Sequence, residues 1–248
     1  MNEVNTSFHP PQDVARWQTI ALGVGNIALA GIFLGTTLMY GDAFNLGLHS
    51  LELFRYVAAA YIFCSVVCAS QSVGDYRMSE QWTEEMRRWT ANTPLPYFPG
   101  RCRVHRAELS RLRGDWREAE REAQLACDEL RGCGPVDIGW ALAELGLIRL
   151  RLGDLEGADE AFRESNERGR VPHPGMALLH LARGDLERAS RAIADALEDP
   201  PEWPSWEAPL NSRLGRALLL PVQVEIAIAV GDTDRARSAA DELANLAQ

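Results

Sequence analysis

The chain has no surplus of positive charge, no even-numbered cysteine framework and no cleavable secretory leader, and each absence closes off a class of function. A net charge of -10 over 248 residues gives no electrostatic reason to approach nucleic acid or anionic lipid, which select clustered cations. Direct nucleic-acid binding is therefore not expected. The one Arg-rich stretch, Arg101 to Arg121, is interleaved with Glu108, Asp115, Glu118 and Glu120, the pattern of a solvated helix face. The five cysteines, Cys64, Cys68, Cys102, Cys127 and Cys133, are odd in number and irregular in spacing, which fits a reducing, cytoplasmic setting. Cys64 and Cys68 stand at i, i+4 on an apolar helix, a spacing open to metal or redox chemistry, but free cysteines act more often as small buried hydrophobes. Cys102-x-x-His105 has metal-like spacing without the second ligand pair that a structural zinc needs. No metal or other cofactor is expected.

What is present is an ordinary globular composition, 46% hydrophobic and 24% charged, carrying an internal repeat. A Gly-Asp step recurs at Gly74-Asp75, Gly114-Asp115, Gly153-Asp154, Gly184-Asp185 and Gly231-Asp232. Five residues beyond each glycine comes a small side chain: Ser79, Ala119, Ala158, Ala189 and Ala236. Glycine takes the positive φ that ends a helix, and aspartate caps the next one. The small residue then lets two backbones come close, with Ala123, Phe162, Ile193 and Ala240 continuing its face four positions on. Upstream, Ala141, Leu142, Leu145, Gly146, Ile148 and Leu152 carry helical spacing while Glu144, Arg149 and Arg151 fall elsewhere. Gly146, Ala107 and Ala177 hold one phase, seven residues before their turns. The turns are 40, 39, 31 and 47 residues apart, the excess falling in linkers at Thr93–Gly100, Gly132–Pro135 and Asp199–Trp206. The fold class expected is all-α, a solenoid of antiparallel helix pairs.

The start of the chain reads in two ways. Residues 1–16 form a tail and residues 17–55 an apolar helical segment, ahead of a repeat domain over 56–248. Thr19 to Met39 is an uncharged run of 21 residues, long enough to span a bilayer, with Gly31 and Gly35 at a spacing found on packed membrane helices. Gly41-Asp42 follows in the phase of the later turns, so the run also reads as the first helix of a degenerate repeat. Tyr56 to Ala69 is too short to span and reads as a buried helix.

The turn and its phased small residues resemble the tetratricopeptide repeat over about residues 56 to 248. The run Phe98-Pro99-Gly100-Arg101-Cys102-Arg103-Val104-His105-Arg106-Ala107-Glu108, with Arg113-Gly114-Asp115-Trp116, Gly139-Trp140-Ala141 and Ile148 to Asp154, resembles the helical repeat region of large LuxR-type (MalT-like) bacterial transcriptional regulators. In that family the region relays signals or partners between a nucleotide-binding or cyclase-like portion and a helix-turn-helix. Here no Gly-x-x-x-x-Gly-Lys-Ser/Thr loop is present, and the last repeat's second helix runs to Gln248, so neither ATP hydrolysis nor DNA binding carries over. The resemblance implies a groove lined by the first helix of each pair, placing Tyr61, Arg101, Val104, Glu108, Arg111, Trp140 and Leu147 on it for a protein or peptide partner. Trp140 there is either an aromatic anchor or a packing residue between repeats. His173, between two prolines, reads as a surface histidine, and Glu84-Glu85 as a solvated face. Nothing resembles a nucleophile elbow. The function expected is a non-catalytic interaction or regulatory module, or the same module held to a membrane by residues 19–39.

Overall fold

The computed structural model describes residues 62–71, 74–90, 98–132, 135–198 and 212–246. The tail, the apolar run at 19–39, Tyr61, Cys133 and the linker Asp199–Trp206 lie outside them. All regular structure among the described residues is helical: α1 (62–71), α2 (Tyr76–Thr90), α3 (Phe98–Leu112), α4 (Trp116–Leu130), α5 (Pro135–Leu152), α6 (Leu155–Glu167), α7 (Gly175–Ala182), α8 (Leu186–Glu198), α9 (Ser212–Val230) and α10 (Thr233–Leu246). Among the described residues no helix is long and apolar enough to cross a membrane.

The five Gly-Asp steps are five copies of one turn. Gly74, Gly114, Gly153, Gly184 and Gly231 all have φ between 74° and 87°, a backbone region that costs an L side chain dearly. Each glycine N–H donates to the carbonyl three residues back, and each aspartate N–H to the carbonyl five back, as in Asp154 to Arg149 at 3.0 Å. That is the Schellman arrangement, which satisfies the orphan carbonyls of the outgoing helix. The aspartate side chains then cap the incoming helix: Asp75, Asp154, Asp185 and Asp232 accept from the backbone N–H three residues on, at 2.9–3.1 Å. Asp115 makes no such side-chain bond. Asp154→Ala should therefore cost about 1 kcal/mol in urea unfolding, as loss of a helix cap does, whereas Asp115→Ala should stay within about 0.5 kcal/mol. Equal losses at the two positions would remove the capping role.

The small residues mark close packing. Ser79, Ala119, Ala158 and Ala189 are 0% exposed, and Ala236 is also buried. Ala123, Phe162 and Ile193 continue that face in the core, but Ala240 is exposed and Ala239 makes the contact in its place. No further described helix covers that side of α10. Helices joined by a turn pack together as α3 on α4, α5 on α6, α7 on α8 and α9 on α10. Each pair also meets the next, and the first helices touch in succession, α3 on α5, α5 on α7 and α7 on α9. Phe63 of α1 packs edge-on to Trp82 and tilted against Trp89 of α2, with ring centroids 5.6 and 5.7 Å apart. One apolar cluster fills α3 to α5 and a second runs from α5 through α10.

Two local expectations are corrected. Phe98, Pro99 and Gly100, expected in a linker, begin α3, because proline in a helix's first turn loses no hydrogen bond. The Arg-rich stretch is not a simple solvated face: Arg103, Arg106 and Arg121 converge on the carboxylate of Glu122, which is only 4% exposed. All 25 cationic side chains of this protein are arginines, and their planar forks suit such shared carboxylates better than a lysine's point charge.

Candidate functional site

Along α3, residues three or four apart share a side, which brings Arg101, His105, Glu108 and Arg111 onto one edge. On α5 the same spacing aligns Asp137, Trp140, Glu144 and Leu147. The two edges meet in rungs. Arg101 pairs with Asp137 at 2.6 Å, off the line of a hydrogen bond. The His105 ring packs edge-on to Trp140 with centroids 4.8 Å apart. The Arg111 guanidinium donates to both Glu144 carboxylate oxygens, at 2.6 and 3.4 Å. Glu144, placed off the apolar face by its spacing, is buried, since α5 is covered on more than one side.

Helix α1 also meets this edge of α3. Gln71 donates to Glu108 at 2.9 Å. One and two turns earlier, Cys68 and Cys64 face the imidazole of His105: Sγ of Cys68 is 3.6 Å from Nε2, Sγ of Cys64 is 4.0 Å from it, and the two sulfurs are 3.9 Å apart. Cys64 and His105 are buried and Cys68 is partly so. The other candidate ligand, Cys102, points away and donates to Met86 Sδ at 3.2 Å. The sequence spacing joins His105 to Cys102; the fold joins it to Cys64 and Cys68.

These surroundings shift the titrating groups in opposite directions. The hydrogen bond with Cys68, helped by His105, holds the Cys64 thiol well below its usual range against the opposing effect of burial. Burial pushes Cys102 and Cys127 up to about 12, which leaves both as inert thiols. Burial, then the Glu144 carboxylate, raises Glu108 despite Arg111 nearby. A carboxyl raised in the folded state adds stability at acid pH and loses that contribution as pH climbs through its folded value. Glu108→Gln, which does not titrate, should thus gain on the unaltered protein as pH goes from 4 to 8. Urea midpoints measure this, and a gap independent of pH would contradict it.

Of the residues expected on the groove, Arg101, Glu108, Arg111 and Trp140 come together here, each partly buried and engaged with a neighbouring helix. Leu147 is half-buried against the larger apolar cluster. Val104 is 0% exposed, in the core between α3, α4 and α5 rather than on a surface. His173 is half-buried, and burial lowers its pKa. Glu84 and Glu85 are held by Arg87 and Arg88 on the exposed side of α2. The signal for the Cys64, Cys68 and His105 grouping was present only in part: the i, i+4 thiols show in the sequence, but nothing local ties them to a histidine 37 residues away.

The described residues define an all-helical protein. No protein-family model and no curated protein matches the chain. Among solved structures it is similar to the crystal structure of BtubC (BKLC) from P. vanneervenii, at 17% sequence identity over 90% of each chain with a TM-score of 0.48.

Proposed function

We propose that this chain is a non-catalytic interaction module, an α-solenoid of tetratricopeptide-like helix pairs that holds a protein or peptide partner in the cytoplasm. The observation that carries the reading is the succession α3, α5, α7, α9, in which the first helix of each pair touches the first helix of the next. Such a row offers one continuous surface across several pairs, the kind of extended face that repeat proteins use for binding. Trp140 and Leu147 on α5 supply the aromatic and aliphatic contact there. The resemblance of residues 98–108 and 139–154 to LuxR-type regulators adds the suggestion that the partner belongs to a signalling or transcriptional system.

The ion pairs refine this reading. Arg101 and Arg111 serve Asp137 and Glu144 within the chain, so a partner meets the apolar residues between the rungs more than the charges. Trp140→Ala should weaken an identified partner at least about tenfold, the usual size for a central aromatic contact. Full affinity in a folded variant would place the partner elsewhere, duplex DNA binding by the purified chain would refute the protein or peptide partner, and ATP turnover would refute the non-catalytic reading.

A membrane-tethered form of the same module has one specific observation in its favour, the uncharged run from Thr19 to Met39. Cell fractionation separates the two readings. Recovery of the full chain in the soluble fraction without detergent removes the tether, and recovery only with detergent establishes it.

A further inference from the structure

Two thiols and an imidazole that meet inside a protein each lose hydration, and long sulfur contacts return little of it. Here the contacts are 3.6, 3.9 and 4.0 Å, so the two sulfurs and Nε2 of His105 are poorly served by hydrogen bonds alone. The arrangement becomes intelligible with a cation at its centre. Tetrahedral zinc, with Zn–S of about 2.3 Å and Zn–N of about 2.0 Å, sets its ligands about 3.8 Å apart sulfur to sulfur and about 3.5 Å sulfur to nitrogen. The sulfur-to-sulfur distance of 3.9 Å and the Cys68-to-Nε2 distance of 3.6 Å fall close to those values, the Cys64-to-Nε2 distance of 4.0 Å is longer, and the three donor atoms lie within 4.8 Å of one another. We propose that Cys64, Cys68 and His105 form a zinc site that joins α1 to α3.

The chemistry of the donors supports zinc in particular. Thiolates and imidazole are the ligands that select soft and borderline cations over magnesium or calcium. Two thiolates neutralise Zn²⁺, so the ion enters this buried place without net charge, whereas Cu⁺ would leave one negative charge there. Binding is balanced by protons: each cysteine thiol gives up one, and His105 binds as neutral imidazole through Nε2, with its proton on Nδ1. The edge of Trp140 fixes the ring. Three protein ligands leave a fourth position for water, and the partly exposed side at Cys68 is where it opens. The site clamps the first described helix onto the repeat that follows.

The test uses the full-length chain, purified without a polyhistidine tag, kept reduced, stripped with a chelator and titrated with Co²⁺ and then Zn²⁺. One equivalent of Co²⁺ should produce sulfur-to-cobalt charge-transfer absorption with the visible bands of a tetrahedral ion, and Zn²⁺ should abolish both. Cys68→Ser, the substitution at the least buried ligand, should keep its helical circular dichroism and bind zinc more than about 100-fold more weakly, beyond the cost of losing a neighbour that merely orients a ligand. Cys127→Ala, outside the cluster, should bind as the unaltered chain does. Absence of the charge-transfer band, or the same affinity in Cys68→Ser, overturns the proposal. Retention of Cu⁺ together with rejection of Zn²⁺ under chelator competition overturns the choice of metal.

Discussion

Phe162→Ala is expected to lower the unfolding free energy by about 3–5 kcal/mol, the range for removing a fully buried aromatic ring. The ring is 0% exposed and is held between two helices other than its own. A Cβ placed on Gly146 of α5 would come within 2.4 Å of it, and one on Gly175 of α7 also within 2.4 Å. Phe162 therefore fills a slot that two glycines create, joining the α5/α6 pair to α7. Glycine inside a helix costs about 1 kcal/mol relative to alanine, so its presence at Gly146 has to be offset by this packing. Gly146→Val should accordingly destabilise by about 1–3 kcal/mol or more through overpacking. The double variant Phe162→Ala/Gly146→Val should lose clearly less than the sum of the two, because the valine occupies room the ring has left. Additive losses in urea unfolding would mean that the ring and the glycine do not share that slot.

Arg111→Met is the second large effect, about 3–5 kcal/mol at pH 7, the cost of removing one partner from a buried ion pair. Arg111 lies between two carboxylates, Glu144, whose side chain is 8% exposed, and Glu108. Without the guanidinium these acids repel each other in a poorly hydrated place, and the Glu108 carboxyl, already raised by burial and by Glu144, loses the group that holds it down. Stability contributed by such raised carboxyls is present at acid pH and lost as pH rises through the folded values. The deficit of Arg111→Met should thus shrink as pH falls toward 4. Replacing both partners, as Arg111→Met/Glu144→Met, should recover most of the loss, since an apolar pair of similar volume leaves no charge uncompensated. A deficit that is the same at pH 4 and pH 8 would show that the lost methylene packing, and not charge, dominates.

This second effect changes how the partner surface must be tested. Substituting Arg101 and Arg111 together would weaken the fold along with any contact to a partner, so lost binding in that variant says little about the groove. Trp140 and Leu147 are the cleaner positions.

The turns were legible because everything that makes them is local: a positive-φ glycine, a capping aspartate and a small residue five positions on are all visible within one stretch of chain. The slot for Phe162 was half legible, since the phase of Gly146 marked close packing without naming the ring that fills it. Buried charge was not legible. Glu144 falls at a position that a single amphipathic helix would expose and Glu122 interrupts the buried stripe of α4, and only the arrival of Arg111, or of Arg103 and Arg106, from a neighbouring helix makes their burial tolerable. The meeting of Cys64, Cys68 and His105 was hidden for the same reason, because it depends on how α1 docks along α3. Val104 shows the converse limit: a phase carried over from a family resemblance put on the groove a residue that the three-helix contact encloses.

The central claim is that a partner lies along the face made by successive first helices. A photo-crosslinking amino acid placed at Leu147 on α5 and, separately, at the exposed Arg163 on α6 tests it inside the cell that makes this protein. The account predicts one discrete adduct from position 147, lost when Trp140 is changed to alanine, and none from position 163. The same adduct from 163, or an adduct at 147 that survives Trp140→Ala unchanged in a folded protein, would contradict it.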